Sequence, residues 1–112
     1  MNYNDLFVVG RGLNDLKELK IIGGDARLFL NLNKIEKRVK ELQDEFFEAK
    51  NKAYAEMDKN GKSEDDKKDL FIKMLEEECE DIGYSLTYND LEKFEEVKFE
   101  TISNLSEILS EE

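Results

Sequence analysis

The side chains able to do chemistry in this chain are acidic and clustered. Glu76, Glu77 and Glu78 with Glu80 and Asp81, followed by Asp90, Glu92, Glu95, Glu96 and Glu100, crowd into its last third. Paired carboxylates can act as general acid and base, or hold a hard cation. The chain has no histidine, so the commonest general base and the commonest neutral metal ligand are both missing. Its one cysteine, Cys79, sits among acids that raise a thiol pKa and has no imidazole to activate it, which makes it a small apolar filler. A lone cysteine forms no intramolecular disulfide and points to a reducing interior. No catalytic residue, no metal ligand and no cofactor is expected.

Two shorter motifs also lose their chemical reading. Phe7-Val8-Val9-Gly10-Arg11-Gly12 suggests a dinucleotide loop, in which glycines let a backbone approach pyrophosphate. Asp15 stands where the third glycine belongs, its charge opposes phosphate, and no regular βαβ alternation follows. Asp58, Asn60 and Gly61 resemble the middle of a calcium loop. Setting Gly61 at the loop's glycine position puts Lys67 where a bidentate carboxylate is required, so the segment is a helix stop.

Net charge is −11, and its distribution says more than its total. Residues 1–73 hold fifteen Lys or Arg against fifteen Asp or Glu, whereas residues 74–112 hold thirteen acids against Lys93 and Lys98. Such a face repels phosphate backbones and anionic lipid, and attracts basic protein surfaces. Direct nucleic-acid binding and membrane binding are disfavoured. The start Met1–Asp5 lacks a basic, then apolar leader, and no long apolar run follows, so the expected location is cytoplasmic.

The elements that must position these acids are helical. Leu28, Leu32, Ile35, Val39, Leu42, Phe46, Ala49, Ala53 and Met57 alternate spacings of four and three, a coiled-coil-like seam. Asp25 offers an N-cap and Gly61 a stop, predicting one helix over about 25–58. Ser63 with Asp66 is a capping-box variant, and Leu70, Phe71, Met74, Leu75, Cys79 and Ile82 predict a second helix over about 63–82, ending at Gly83. The short connection makes an antiparallel hairpin whose register brings Ile82 near Arg38, and Lys37, Arg38 and Lys40 near Glu80 and Asp81.

That register leaves the seam from Leu28 to Ile35 uncovered. Leu6, Val9, Leu13 and Leu16 predict a covering helix over about 3–19, with a short strand at Leu6–Val9 as the alternative. Beyond Gly83, Tyr84–Leu86 looks extended, Thr87–Phe94 reads as a short capped helix, Val97–Phe99 as a brief strand, and Ile102, Leu105, Ile108 and Leu109 as a helical tail. The expectation is one mainly α domain over 1–112: a long helical hairpin, an N-terminal helix, and a short α/extended segment within an acidic C-terminal third, 74–112.

The Arg27–Ile35 helix start, the Asp58–Gly61 interruption and the acidic stretch before a Leu-rich tail resemble small uncharacterised proteins encoded by tailed phages and prophages. The resemblance covers about residues 12–110 and supplies no catalytic residues. It implies a mobile-element origin and expression in the host cytoplasm.

The functional expectation is a non-enzymatic acidic module. Its candidate contacts are Glu76, Glu77, Glu80, Asp81, Asp90, Glu92, Glu95, Glu96 and Glu100, interleaved with Tyr88, Phe94 and Phe99. Those aromatics either join the contact surface or pin the segment to the hairpin. The expected partner is a basic host protein, such as a defence nuclease or another nucleic-acid-processing protein, inhibited by occupation of its phosphate-binding surface. The other candidate is an assembly protein acting by helix association, with a second copy covering the seam from Leu28 to Ile35.

Overall fold

The computed structural model describes residues 1–111, and its longest element sets its shape. Helix α2 runs Ala26–Lys59, 34 residues, or about 50 Å at about 1.5 Å per residue. The molecule measures 57 × 23 × 23 Å, so α2 spans nearly its whole length. Asp25 caps α2 by accepting the Leu28 N–H at 3.1 Å. Its stop is the expected turn, with Gly61 at φ +69°, where a side chain would be strained.

Helix α1, Tyr3–Lys17, packs antiparallel on the first half of α2. A reciprocal cap between Asn2 and Asp5 starts it, and Leu6, Val9, Leu13 and Leu16 turn inward, so the strand alternative fails. Burying each such leucine contributes about 1.5–3 kcal/mol. Most of the seam that the hairpin leaves open is thereby covered: Leu28 is 3% and Ile35 0% exposed, while Leu32 between them stays half-buried. Leu28 and Ile35 are thus covered within one chain, without a second copy.

Gly10 and Gly12 let α1 be approached closely. A Cβ at Gly12 would lie 2.7 Å from Leu105 Cγ, and one at Gly10 2.7 Å from the Gln43 amide nitrogen. These glycines serve packing.

Helix α3, Glu64–Glu76, opens with the Ser63–Asp66 capping box and stops six residues short of the predicted end. Two causes act together. Acids at Glu77, Glu78, Glu80 and Asp81 oppose the negative end of a helix dipole. The chain also gains backbone bonds with the N-terminus, from Tyr3 N–H to the Glu77 carbonyl at 3.2 Å and from Cys79 N–H to the Met1 carbonyl at 2.9 Å. Extended, residues 77–82 still bury Cys79 and Ile82, and Gly83 lies in this connection rather than at a helix end.

The rest of the chain folds over the α1–α2 end. Strand β1, Leu86–Thr87, leads into α4, Tyr88–Glu92, capped reciprocally by Thr87 and Asp90. Helix α5, Phe99–Asn104, follows, then a 3-10 turn at Ser106–Ile108 and strand β2, Leu109–Ser110, parallel to β1. The predicted strand at Val97–Phe99 is absent because Phe99 begins α5, with Lys98 at its N-cap. The predicted helical tail is cut after Asn104, since Leu109 leaves helical spacing to pair with Leu86.

Leu86, Leu91, Phe94, Leu105 and Ile108 complete the core with α1 and α2. α3 contributes no buried residue, and beyond Phe46 the hairpin projects as an arm. No helix among the described residues is long and apolar enough to cross a membrane.

Candidate protein-interaction surface

The nine acids singled out by sequence divide into two groups and one structural residue. Glu76 ends α3, Glu77 is its C-cap, and Glu80 pairs with Arg38 at 3.0 Å. The Arg38 guanidinium also donates to the Asp81 carbonyl at 3.4 Å, so of the three cations expected near Glu80 and Asp81 it is Arg38 that meets them, while Lys37 and Lys40 make no ion pair among the described residues. Asp90 is structural: its carboxylate accepts the Thr87 N–H at 3.0 Å and closes the α4 cap.

Glu92, Glu95, Glu96 and Glu100 form the second group, all exposed and none salt-bridged among the described residues. Glu95, Glu96 and Glu100 surround a surface depression of about 760 Å³ together with Asp15 of α1 and Glu18 at its C-cap. Arg11 and Lys98 also line it, leaving acids in excess. The floor is held by Thr101, 3% exposed, whose hydroxyl donates to Asp15 at 3.1 Å. Sequence reasoning missed Asp15 and Glu18. Their signal was the spacing Arg11, Asp15, Glu18, which is the outer face of α1 once Leu13 and Leu16 turn inward.

Lys93, one of only two cations in this third, is already engaged. Its ammonium bonds to the Asp25 carboxylate and lies 4.0 Å from Asp90. The bond to Lys93, with the Leu28 N–H, holds the Asp25 carboxyl below the ordinary carboxylate range, and the same bond raises Lys93. The pair ties the cap of α2 to the C-terminal segment. Beside it, the Ile22 N–H donates to the Lys93 carbonyl at 2.7 Å, and the Glu95 N–H to the Lys20 carbonyl at 3.0 Å. This small antiparallel ribbon fixes Glu95 against the end of α1.

The aromatics split between the two roles left open. Phe94 is buried and pins the segment, whereas Phe99 is 84% exposed next to Glu100, and Tyr88 is 49% exposed.

A second concavity lies across the ribbon. The ends of α1 and α2 enclose an apolar cleft of about 900 Å³, with Leu16 and Phe94 in its floor and Phe29 and Leu30 at its lip. Leu19 borders both concavities. Nothing in the sequence pattern pointed to the cleft, because Phe29 and Leu30 fall outside the α2 seam.

Among the described residues, no three acidic, cysteine or histidine side chains converge to hold a metal ion. Burial pushes the Cys79 thiol up, its largest cause, and its Sγ lies 3.3 Å from the Glu80 carbonyl. Comparison of the chain with protein-family models, with curated proteins and with solved structures yields no match. What the surface can do follows from its geometry and charge.

Proposed function

We propose that this chain is a non-enzymatic protein-binding module whose acidic face docks on a basic surface of another protein. The observation that carries the proposal is the depression in which Glu95, Glu96 and Glu100 join Asp15 and Glu18, opposed only by Arg11 and Lys98. Asp15 is held by Thr101, whereas Glu18, Glu95, Glu96 and Glu100 make no ion pair among the described residues, and such carboxylates steer a cationic partner from a distance and orient it on contact. Phe99, exposed beside Glu100, supplies an aromatic anchor at the edge of the charged region.

The natural target is a surface built for phosphate backbone, which an array of fixed carboxylates can occupy in its place. A phage or prophage origin makes a nucleic-acid-processing or defence protein of the host the partner, and inhibition the outcome. The test is capture from host lysate with the parent chain beside a Glu92→Gln/Glu95→Gln/Glu96→Gln/Glu100→Gln variant. A basic partner, released by salt and lost with the variant, is the expected result. Partners that survive the substitution refute it.

One observation favours a second reading, assembly by helix association. The arm beyond Phe46 buries no residue of α3 and leaves Phe47 and Ile72 exposed, with Ala53 and Met57 half-buried. Two arms packed together would bury these side chains. Mass that rises with concentration, and falls back on Phe47→Ser/Ile72→Ser, supports this reading; a monomer throughout the micromolar range rejects it.

A further inference from the structure

We infer that Asn60, in the turn at the tip of the arm, is a site of spontaneous deamidation, and that this modification unlocks the turn joining α2 to α3. The inference stands apart from the acidic docking surface.

The sequence supplies the reacting groups. Asn60 is followed by Gly61, and it is the only one of the nine asparagines with a glycine after it. A glycine has no Cβ to crowd its own backbone nitrogen, and the space beside Gly61 is open. Both residues are exposed. The other asparagines are held in place. Seven lie within helices, and Asn2 caps α1, its side-chain oxygen accepting the Asp5 N–H at 2.9 Å.

The step is a ring closure followed by hydrolysis. The Gly61 backbone nitrogen loses its proton to solvent base and attacks Cγ, the side-chain carbonyl carbon of Asn60. A bond forms between that nitrogen and Cγ, the bond from Cγ to Nδ2 breaks, and Nδ2 leaves as ammonia after taking a proton from water. Water then opens the cyclic imide. Opening at the main-chain carbonyl gives isoaspartate, in which the backbone runs on through Cβ and Cγ, and opening at the side-chain carbonyl gives aspartate.

The fold decides when this happens. Two bonds lock the end of α2, from the Gly61 N–H to the Asp58 carbonyl at 3.2 Å and from the Lys62 N–H to the Met57 carbonyl at 3.0 Å. With Gly61 at φ +69° they make a Schellman cap. Asn60 lies at φ −92° and ψ 7°, which turns the Gly61 nitrogen away from the Asn60 side chain. Ring closure therefore waits for the cap to open. That opening is local, because α3 buries no residue and the whole turn is exposed.

Isoaspartate makes the opening permanent. It adds one backbone atom between Cα of residue 60 and the Gly61 nitrogen, so the Gly61 and Lys62 N–H groups no longer meet the carbonyls of α2. The new carboxylate also stands at the negative end of the α2 dipole. Lys67 of α3 pairs with Asp58 and accepts the Tyr54 hydroxyl at its carbonyl at 3.1 Å, so the loosened turn weakens the ties between the two helices of the arm.

The test incubates the full-length chain in neutral and in mildly alkaline buffer and follows it by peptide mapping, with isoaspartate detected by enzymatic methylation. Conversion of amide to acid should be confined to the peptide that holds Asn60, run faster at the alkaline pH, give more isoaspartate than aspartate, and vanish in Asn60→Gln. It should be about tenfold slower in the native chain than in urea. Amide exchange of the modified chain should quicken at residues 57–67 and stay unchanged in α1 and in residues 26–46 of α2.

Conversion of other asparagines ahead of Asn60, or an Asn60 that stays an amide long after the urea-unfolded chain has converted, overturns the site. Equal rates in the native chain and in urea overturn the gating by the cap. Unchanged exchange at the tip after modification overturns the unlocking of the turn. Each of these failures leaves the acidic docking surface to its own test, capture with the glutamine variant.

Discussion

Alanine at Gly12 would place its Cβ 2.7 Å from Cγ and 2.8 Å from Cδ2 of Leu105, and 3.2 Å from Cβ of Asn104. Leu105 is fully buried, so its side chain has no free direction in which to yield. Forcing a methyl group into such a contact costs about 1–3 kcal/mol. Replacing a helical glycine by alanine returns about 0.8–1 kcal/mol of helix propensity. Gly12→Ala should therefore be destabilising by roughly 0–2 kcal/mol.

Gly10 supplies the control on the same helix. Its Cβ would meet the Gln43 amide nitrogen at 2.7 Å, the far end of a flexible side chain, and nothing else closer than 3.9 Å. The amide can swing away, so Gly10→Ala should stabilise by up to about 1 kcal/mol. Thermal and urea unfolding of the two variants should bracket the parent, with Gly10→Ala above it and Gly12→Ala below. Equal stabilisation by both would refute the close packing of α1 on α5.

Two further predictions concern the joints of the fold. Asp25 has a lowered pKa in the folded chain, so its contribution is present above its unfolded value and lost as pH falls through the folded one. Lys93 is raised, so its contribution is present below its unfolded value and lost as pH rises through the folded one. The pair therefore supports the fold between those limits, and Lys93→Met should lower Tm at neutral pH while narrowing the loss of Tm between neutrality and about pH 3. An unchanged gap would show that the pair is not coupled to folding. Cys79, buried and with its thiol pKa raised, should react with iodoacetamide at pH 7.5 at least about a hundredfold more slowly in the native chain than in urea. Rapid native labelling would contradict the pairing of residues 77–79 with the N-terminus.

What was legible in the sequence was whatever rests on local spacing. The seam of α2, the Asp25 and Ser63 caps, the stop at Gly61 and the covering helix α1 follow from periodicity and from who can accept a backbone N–H. The Arg38–Glu80 pair followed from the hairpin register. What was not legible depends on contacts between distant segments. Residues 77–82 keep helical spacing in sequence, yet pairing with Met1 and Tyr3 draws them into extended chain. The strand β2 exists only because Leu86 lies opposite Leu109. The acidic depression was half visible, because Glu95, Glu96 and Glu100 are neighbours in sequence while Asp15 and Glu18 reach them only through the packing of α5 on α1. The role of Lys93 was hidden for the same reason, its partner Asp25 being 68 residues away.

The central claim is that the acidic face is a docking surface and not merely a solubilising one. Its most direct test is calorimetric titration of the captured partner with the parent and with the Glu92→Gln/Glu95→Gln/Glu96→Gln/Glu100→Gln variant, at low and high salt. The account predicts tight binding by the parent that weakens steeply with salt, and binding by the variant that is at least about tenfold weaker with a shallower salt dependence. Equal affinities and equal salt slopes for the two proteins would contradict it.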